Sequence, residues 1–370
     1  MVAVQEISAR IGRTTCKGLA GNLRAYYPAW LTQTTVILLF AANTLNIGAD
    51  LGAMAEASRL MAGAVPVWIW VVLFGGVCIA GQIVFQHDRY ASILRWLTLS
   101  LFAYFASLMM VRVPWRHVLG GLLWPTLSFH LSFWIMVVAI FGTTISPYLF
   151  FWQASQEAED TIANPARSAL NLAPDQGPRA LARIRLDTII GMGFSNLVAL
   201  AILITTAATL RRGGVHEISS AAQAAEALRP VAGEFAFALF ALGIIGTGLL
   251  SVPVLAGSAA YAVGEAWRLP VGLSKKPGRA KGFYITMVAA TGIGAAGNVF
   301  SLNPMTALVW AAVINGIVAV PVMTLVMLMS RNVKVMGRFR ISKSLAVVGW
   351  LATALMTAAA AGLIVSSVVS

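Results

Sequence analysis

The stretch Phe141-Gly142-Thr143-Thr144-Ile145-Ser146-Pro147-Tyr148-Leu149-Phe150-Phe151-Trp152-Gln153 decides the fold. An apolar run, Leu131 to Ile140, leads into it and aromatic residues lead out. It reads as a membrane-crossing helix that cannot stay regular. Pro147 has no N–H to donate and clashes with the carbonyl four residues back, while Gly142 is permissive at the other edge. Thr143, Thr144 and Ser146 place three hydroxyls between them. Carbonyls freed at mid-membrane are costly unless something binds them, so unwound backbone persists only where it lines a protected cavity. Broken helices of this kind hold ions in many membrane carriers. A plain proline kink healed by the Ser and Thr side chains is the alternative reading of the same residues.

The surrounding chain supports the membrane reading. Of 370 residues 59% are hydrophobic and 11% charged, too little polar surface to cover a soluble globule. Apolar runs of about 20 residues recur, each enough to cross a hydrocarbon layer about 30 Å thick. The expectation is an all-α polytopic membrane protein in a single domain, 1–370. The net charge of +13 falls in short loops between apolar runs, where it sets orientation and does not mark a nucleic-acid binder. Cys16 and Cys78 are too few and too far apart for a disulfide framework or a zinc site, and the four histidines show no ligand spacing. Enzyme signatures are absent. Gly292-Ile293-Gly294-Ala295-Ala296-Gly297 matches G-x-G-x-x-G, but no strand precedes it, and helix packing explains its glycines better.

Taken in order, the chain opens with a partial helix, 1–12, that reaches only about 17 Å and is expected to be poorly anchored. A basic loop, 12–29, follows. Nine spans are then expected at about 30–61, 66–85, 93–110, 130–155, 188–209, 235–263, 282–300, 306–329 and 345–368. Residues 156–186 read as a mostly polar connection. In the first span Asn43, Asn46 and Asp50 stand at i, i+3 and i+7 and share one helix face, which must meet protein or water. For the two asparagines interhelical hydrogen bonding is favoured; for Asp50, function. With the partial helix ending in the cytoplasm and the spans alternating, twenty of the 26 lysines and arginines fall on the cytoplasmic side. That split supports the span count and leaves the C-terminus outside.

The broken span also resembles the sixth helix of the NRAMP family, the natural resistance-associated macrophage proteins that move divalent metals. Gly142-Thr143-Thr144-Ile145-Ser146-Pro147-Tyr148 lines up without a gap with that family's G-A-T-V-M-P-H, and Ala49-Asp50-Leu51-Gly52-Ala53 is similar to its T-D-L-A-E. The order of spans and the Asn315 helix match the family's third to eleventh helices. The resemblance implies a leucine-transporter-like inverted-repeat fold, here lacking its first helix, in the inner membrane. It implies metal ligands at Thr143, Ser146 and Asn315, and pathway or gating roles for Asp50, Gly142, Thr144, Pro147, Tyr148 and Gln153. The metal is substrate, not cofactor; manganese, iron and magnesium are the expected ions, and protons a candidate co-substrate.

The departures qualify these expectations. Ser146 stands where the family has a metal-binding methionine, and a hydroxyl suits harder ions than a thioether does. Tyr148 replaces a histidine and Ala53 a glutamate, which puts proton coupling in doubt. The family's first helix carries an Asp-Pro-Gly-Asn-like break that this sequence lacks, so the chain as it stands is expected to bind metal weakly. A Na⁺-coupled amino-acid carrier of the same fold and a non-transporting membrane scaffold are the rival readings.

Overall fold

The structure, a computed structural model, describes residues 1–62, 65–84, 102–110, 113–123, 128, 130–210, 220–226, 228, 233–298 and 303–369. The described residues form helices and connections, with no strand among them. In chain order the α-helices are α1 (Val2–Thr15), α2 (Leu19–Tyr26), α3 (Ala29–Met61), α4 (Val67–Val84), α5 (Phe102–Met110), α6 (Trp115–Leu123), α7 (Leu131–Thr144), α8 (Pro147–Ala163), α9 (Gly177–Leu210), α10 (Ala221–Glu226), α11 (Ala236–Ala266), α12 (Lys281–Gly297), α13 (Pro304–Arg331), α14 (Val333–Met336) and α15 (Lys343–Val369). Among the described residues six stretches are long and apolar enough to cross a bilayer, with α7 and α8 counted as one. The expected third span lies outside the described residues before Phe102, as do the ends of the second and seventh, 85 and 299–300.

α3 is the axis of the bundle. It packs on α11, α12, α13 and α4, and it bridges two apolar cores. One core gathers α1, α2, α7, α8, α13 and α15; the other gathers α4, α11 and α12. A helix buried at so many contacts is apolar most of the way round, which is why α3 shows little amphipathicity. Where α3 meets α12 the backbones touch: a Cβ on Gly48 would lie 2.7 Å from the Gly294 oxygen. Gly292 and Gly297 have open space beside them, so only the central glycine of the G-x-G-x-x-G stretch serves close packing.

The opening segment is better held than its length predicts. α1 lies along α8, with Val4, Ile7 and Ile11 wholly buried, and a Cβ on Gly12 would stand 2.1 Å from the Ala154 oxygen. Its charges are closed off locally. Arg10 pairs with Glu6 one turn back, and the buried Arg13 donates to the Ser168 oxygen and, at 2.7 Å, to Gln176 Oε1. Anchoring comes from packing on α8 and not from membrane-spanning length.

Two expected connections are largely helical. Within 12–29, α2 buries Ala20, Leu19 and Leu23, and Asn22 Nδ2 ties it to Thr15 Oγ1 and to the Lys17 and Gly18 oxygens. One apolar turn is too short to show a helical period in sequence. Between the fourth and fifth spans α8 runs on to Ala163 and α9 begins at Gly177. Hydropathy marks the edge of the hydrocarbon, and these helices continue beyond it.

Candidate functional site

The broken helix is present where its residues place it. α7 ends at Thr144, Ile145 and Ser146 leave helical geometry, and α8 restarts with Pro147 in its first turn. Proline suits that position because the first turn has no intrahelical use for its missing N–H. Ser146, 2% exposed, turns its hydroxyl backward instead of capping α8. Its Oγ lies 2.8 Å from the Gly142 oxygen and 3.1 Å from the Thr143 oxygen. These are the carbonyls that a continuous helix would have paired with residues 146 and 147. The hydroxyl therefore heals part of the break, as the kink reading expects, and it also meets the Tyr148 side chain in a hydrogen bond.

The two threonines behave differently. Thr143 Oγ1 donates to the Ala139 oxygen at 2.9 Å and Thr144 Oγ1 to the Ile140 oxygen at 2.8 Å, both within their own helix. Thr143 is exposed, and its main-chain oxygen is one of the two that the Ser146 hydroxyl reaches. Gln153 accepts from Gln5 Nε2 at 3.4 Å, and the same amide lies 3.3 Å from the Leu149 oxygen. That contact ties α8 to α1.

Gly142 explains how α13 reaches the break. A Cβ there would stand 1.9 Å from the Ala312 oxygen and 2.6 Å from the Gly316 nitrogen. Gly316 reciprocates, with Val138 O 2.8 Å from its would-be Cβ. The close approach carries Asn315 in beside it, 3% exposed. Its Nδ2 donates to Asn46 Oδ1 of α3 at 3.0 Å, and its own Oδ1 is buried without a protein partner.

The polar stripe of α3 faces protein along its length. Asn43 Nδ2 donates to the Leu255 oxygen of α11 at 2.9 Å, Asn46 accepts from Asn315, and Asp50 Oδ2 accepts from Ser251 Oγ of α11. The asparagines thus make the interhelical bonds read for them. Tyr148 lies against both apolar cores and within electrostatic reach of Asp50, and its main-chain oxygen accepts from Ser258 Oγ at 2.8 Å. Ser251, Ser258 and Gln5 escaped the sequence reading. Ser251 and Ser258 stand seven residues apart, two turns on one face of α11, and that spacing was the available signal.

An interrupted helix with Ser146 buried at its break, in a bundle where polar side chains of α3, α11 and α13 meet one another, defines a multi-pass membrane protein of the broken-helix class. The sequence matches the family described as natural resistance-associated macrophage protein-like over residues 1–366, and the chain belongs to that family. It is 25% identical over 297 residues to the divalent metal cation transporter MntH of Aeromonas hydrophila, a match covering 76% of this chain and 67% of that one. With the protein of the same name from Klebsiella pneumoniae it shares 22% over 373 residues, covering 98% and 83%. For two further relatives of that name the match spans 55% and 59% of their length. A mutant form of the Eremococcus coleocola manganese transporter superposes with a TM-score of 0.70 at 17% identity, covering 100% of this chain and 82% of the other. The chain therefore has the leucine-transporter-like inverted-repeat fold.

Proposed function

We propose that this chain moves divalent metal ions across the inner membrane by alternating access, with the ion held at the break between α7 and α8. The observation that carries the reading is the buried, unpartnered Oδ1 of Asn315, on the helix packed directly against Gly142. The names of the relatives, divalent metal cation transporters, give the substrate class. Ser146 Oγ, the Thr143 main-chain oxygen and Asn315 Oδ1 would form a set of neutral oxygens. Such a set favours harder ions, manganese and magnesium ahead of cadmium, because no thioether is present to reward a soft one. Gly142 and Pro147 keep the break open, and Thr144, Tyr148 and Gln153 border the route.

Neutral oxygens alone offset little of the hydration that a divalent ion gives up. Asp50 is the carboxylate hydrogen-bonded within this layer and supplies the opposing charge. It is also the group there that can carry a proton. With Ala53 buried where the family has a glutamate, proton movement has Asp50 as its carrier and no second carboxylate on that helix turn.

Uptake into sealed proteoliposomes tests the proposal. Mn²⁺ and Mg²⁺ should enter vesicles holding the chain faster than protein-free vesicles, and Asn315→Leu should abolish the difference. Entry at the protein-free rate would leave the non-transporting scaffold. Entry driven by Na⁺ and an amino acid, with no metal flux, would favour the rival carrier.

A further inference from the structure

A single cavity of about 630 Å³ lies at the seam between the end of α13 and the start of α15. Two of its lining residues are cations: Arg331, the last residue of α13, and Lys343, the first of α15. The short connection 332–342 joins these two spans, so both cations stand on the same side of the membrane. Among the described residues no carboxylate lines the cavity, and neither cation forms an ion pair. The sequence explains the surplus of charge. No Asp or Glu follows Glu265, while the connection adds Lys334, Arg338 and Arg340.

The remaining wall is apolar and belongs mostly to α15. Lys343, Ala346, Val347, Trp350, Leu351 and Ala354 recur at helical spacing and make one stripe, with its charge in the first turn. From Lys343 to Ala354 the helix rises about 16 Å. That is close to one leaflet of a hydrocarbon layer about 30 Å thick. A different face of α15 is closed against protein: Thr353 and Met356 are buried, and a Cβ on Gly349 would stand 2.5 Å from the Met327 sulfur of α13. The helix is thus pressed on α13 by one face and leaves Val347 and Leu351 of the other exposed, at 59% and 58%. One cavity that combines unpaired cations at the ends of two spans with an apolar wall one leaflet deep has the chemistry to hold an anionic head and a hydrocarbon chain.

We propose that an anionic phospholipid occupies this cavity, its phosphate on Arg331 and Lys343 and one acyl chain along Val347, Trp350, Leu351 and Ala354. The lipid would fill the seam on the outer side of α13 and α15. It would bear on the helix that carries Asn315, since Met356 of α15 already backs the next residue: its Cε lies 2.9 Å from where a Cβ on Gly316 would be.

Photolabelling tests the site directly. The full chain is placed in phosphatidylcholine nanodiscs doped with a phospholipid bearing a diazirine midway along one acyl chain, under either a glycerol or a choline head. Labelled residues are mapped by mass spectrometry. The phosphatidylglycerol probe should label 346–354 severalfold more than the phosphatidylcholine probe. The double variant Arg331→Gln, Lys343→Gln should erase that preference. Lys276→Gln with Arg279→Gln, an equal change of charge in another connection, should keep it. Ala354→Trp, which fills the apolar end and touches no charge, should reduce phosphatidylglycerol labelling and stands in if the charge variant does not fold. Equal labelling by the two probes in the wild-type chain overturns the proposal, because the stripe is then only wetted by bulk lipid. A preference that survives either the charge variant or Ala354→Trp overturns it as well. Loss of the preference on adding inorganic phosphate at constant ionic strength overturns the lipid and assigns the two cations to a soluble anion.

Discussion

Asn315 and Asn46 hydrogen-bond across α13 and α3 at 3.0 Å, and the bond uses only half of Asn315: its Oδ1 stays buried with no protein partner. A side chain so placed contributes to helix association through one atom and is available to a ligand through the other. The two roles separate by mutation. A double-mutant cycle of Asn46→Ala and Asn315→Ala, read by unfolding in detergent, should give a coupling of about 0.6 kcal/mol and no more than about 1.7, the range for such bonds inside membranes. Metal uptake should fall far more in Asn315→Ala than in Asn46→Ala. Equal losses would reduce Asn315 to helix association alone.

Gly142→Ala should be among the most damaging small changes in the protein. Its Cβ would enter the Ala312 carbonyl of α13, and a backbone atom cannot rotate away. Overpacking of this kind costs about 1–3 kcal/mol, sometimes more. Gly292→Ala, with open space around it, is the matched control and should leave the melting temperature unchanged. A Gly142→Ala protein melting with wild type would mean that α7 and α13 are further apart.

Ser146 permits a chemical test. Ser146→Met puts a thioether at the break and should raise Cd²⁺ uptake relative to Mg²⁺, since sulfur prefers the softer ion. Ser146→Ala should instead weaken the break itself, leaving the Gly142 and Thr143 oxygens without their hydroxyl donor. An unchanged Cd²⁺/Mg²⁺ ratio in Ser146→Met would take that residue out of the ion's coordination shell.

Glu265 holds α2 to the bundle. Glu265→Ala removes the acceptor for both Gly21 N–H and Ser155 Oγ–H, and each unsatisfied buried group costs about 1–3 kcal/mol. Glu265→Gln keeps one acceptor oxygen and should lose less. Thermal unfolding of the three proteins should rank wild type above the glutamine variant, and that above the alanine variant.

Orientation follows from charge. A reporter fused after Ser370 should signal from outside the cytoplasm, because twenty of the 26 basic side chains fall on the opposite side of the alternating spans. A cytoplasmic signal would require one span more or one fewer.

The sequence by itself determined what depends on covalent geometry and local composition. Pro147 interrupts the helix because of what its own ring permits, and the structure has α7 end at Thr144 and α8 begin at Pro147, whereas Gly142 stays helical within α7 and serves the approach of α13. The polar stripe of α3 likewise had to face protein or water and not lipid, and the structure sets it against α11 and α13. Only the tertiary structure decided which partners meet. Asn46 and Asn315 are 269 residues apart, Asp50 and Ser251 are 201 apart, and Gln5 reaches Leu149 across 144. Whether two such side chains touch depends on the rotation and height of two helices about their axes, set by the sum of contacts along each. Thr143 and Ser146 show the limit most plainly. Both are hydroxyl residues of one motif, three positions apart, yet one faces out and bonds its own helix while the other is buried at the break. A continuous helix would set them only about 60° apart, and the loss of helical geometry at Ile145 and Ser146 is what turns them to different surroundings.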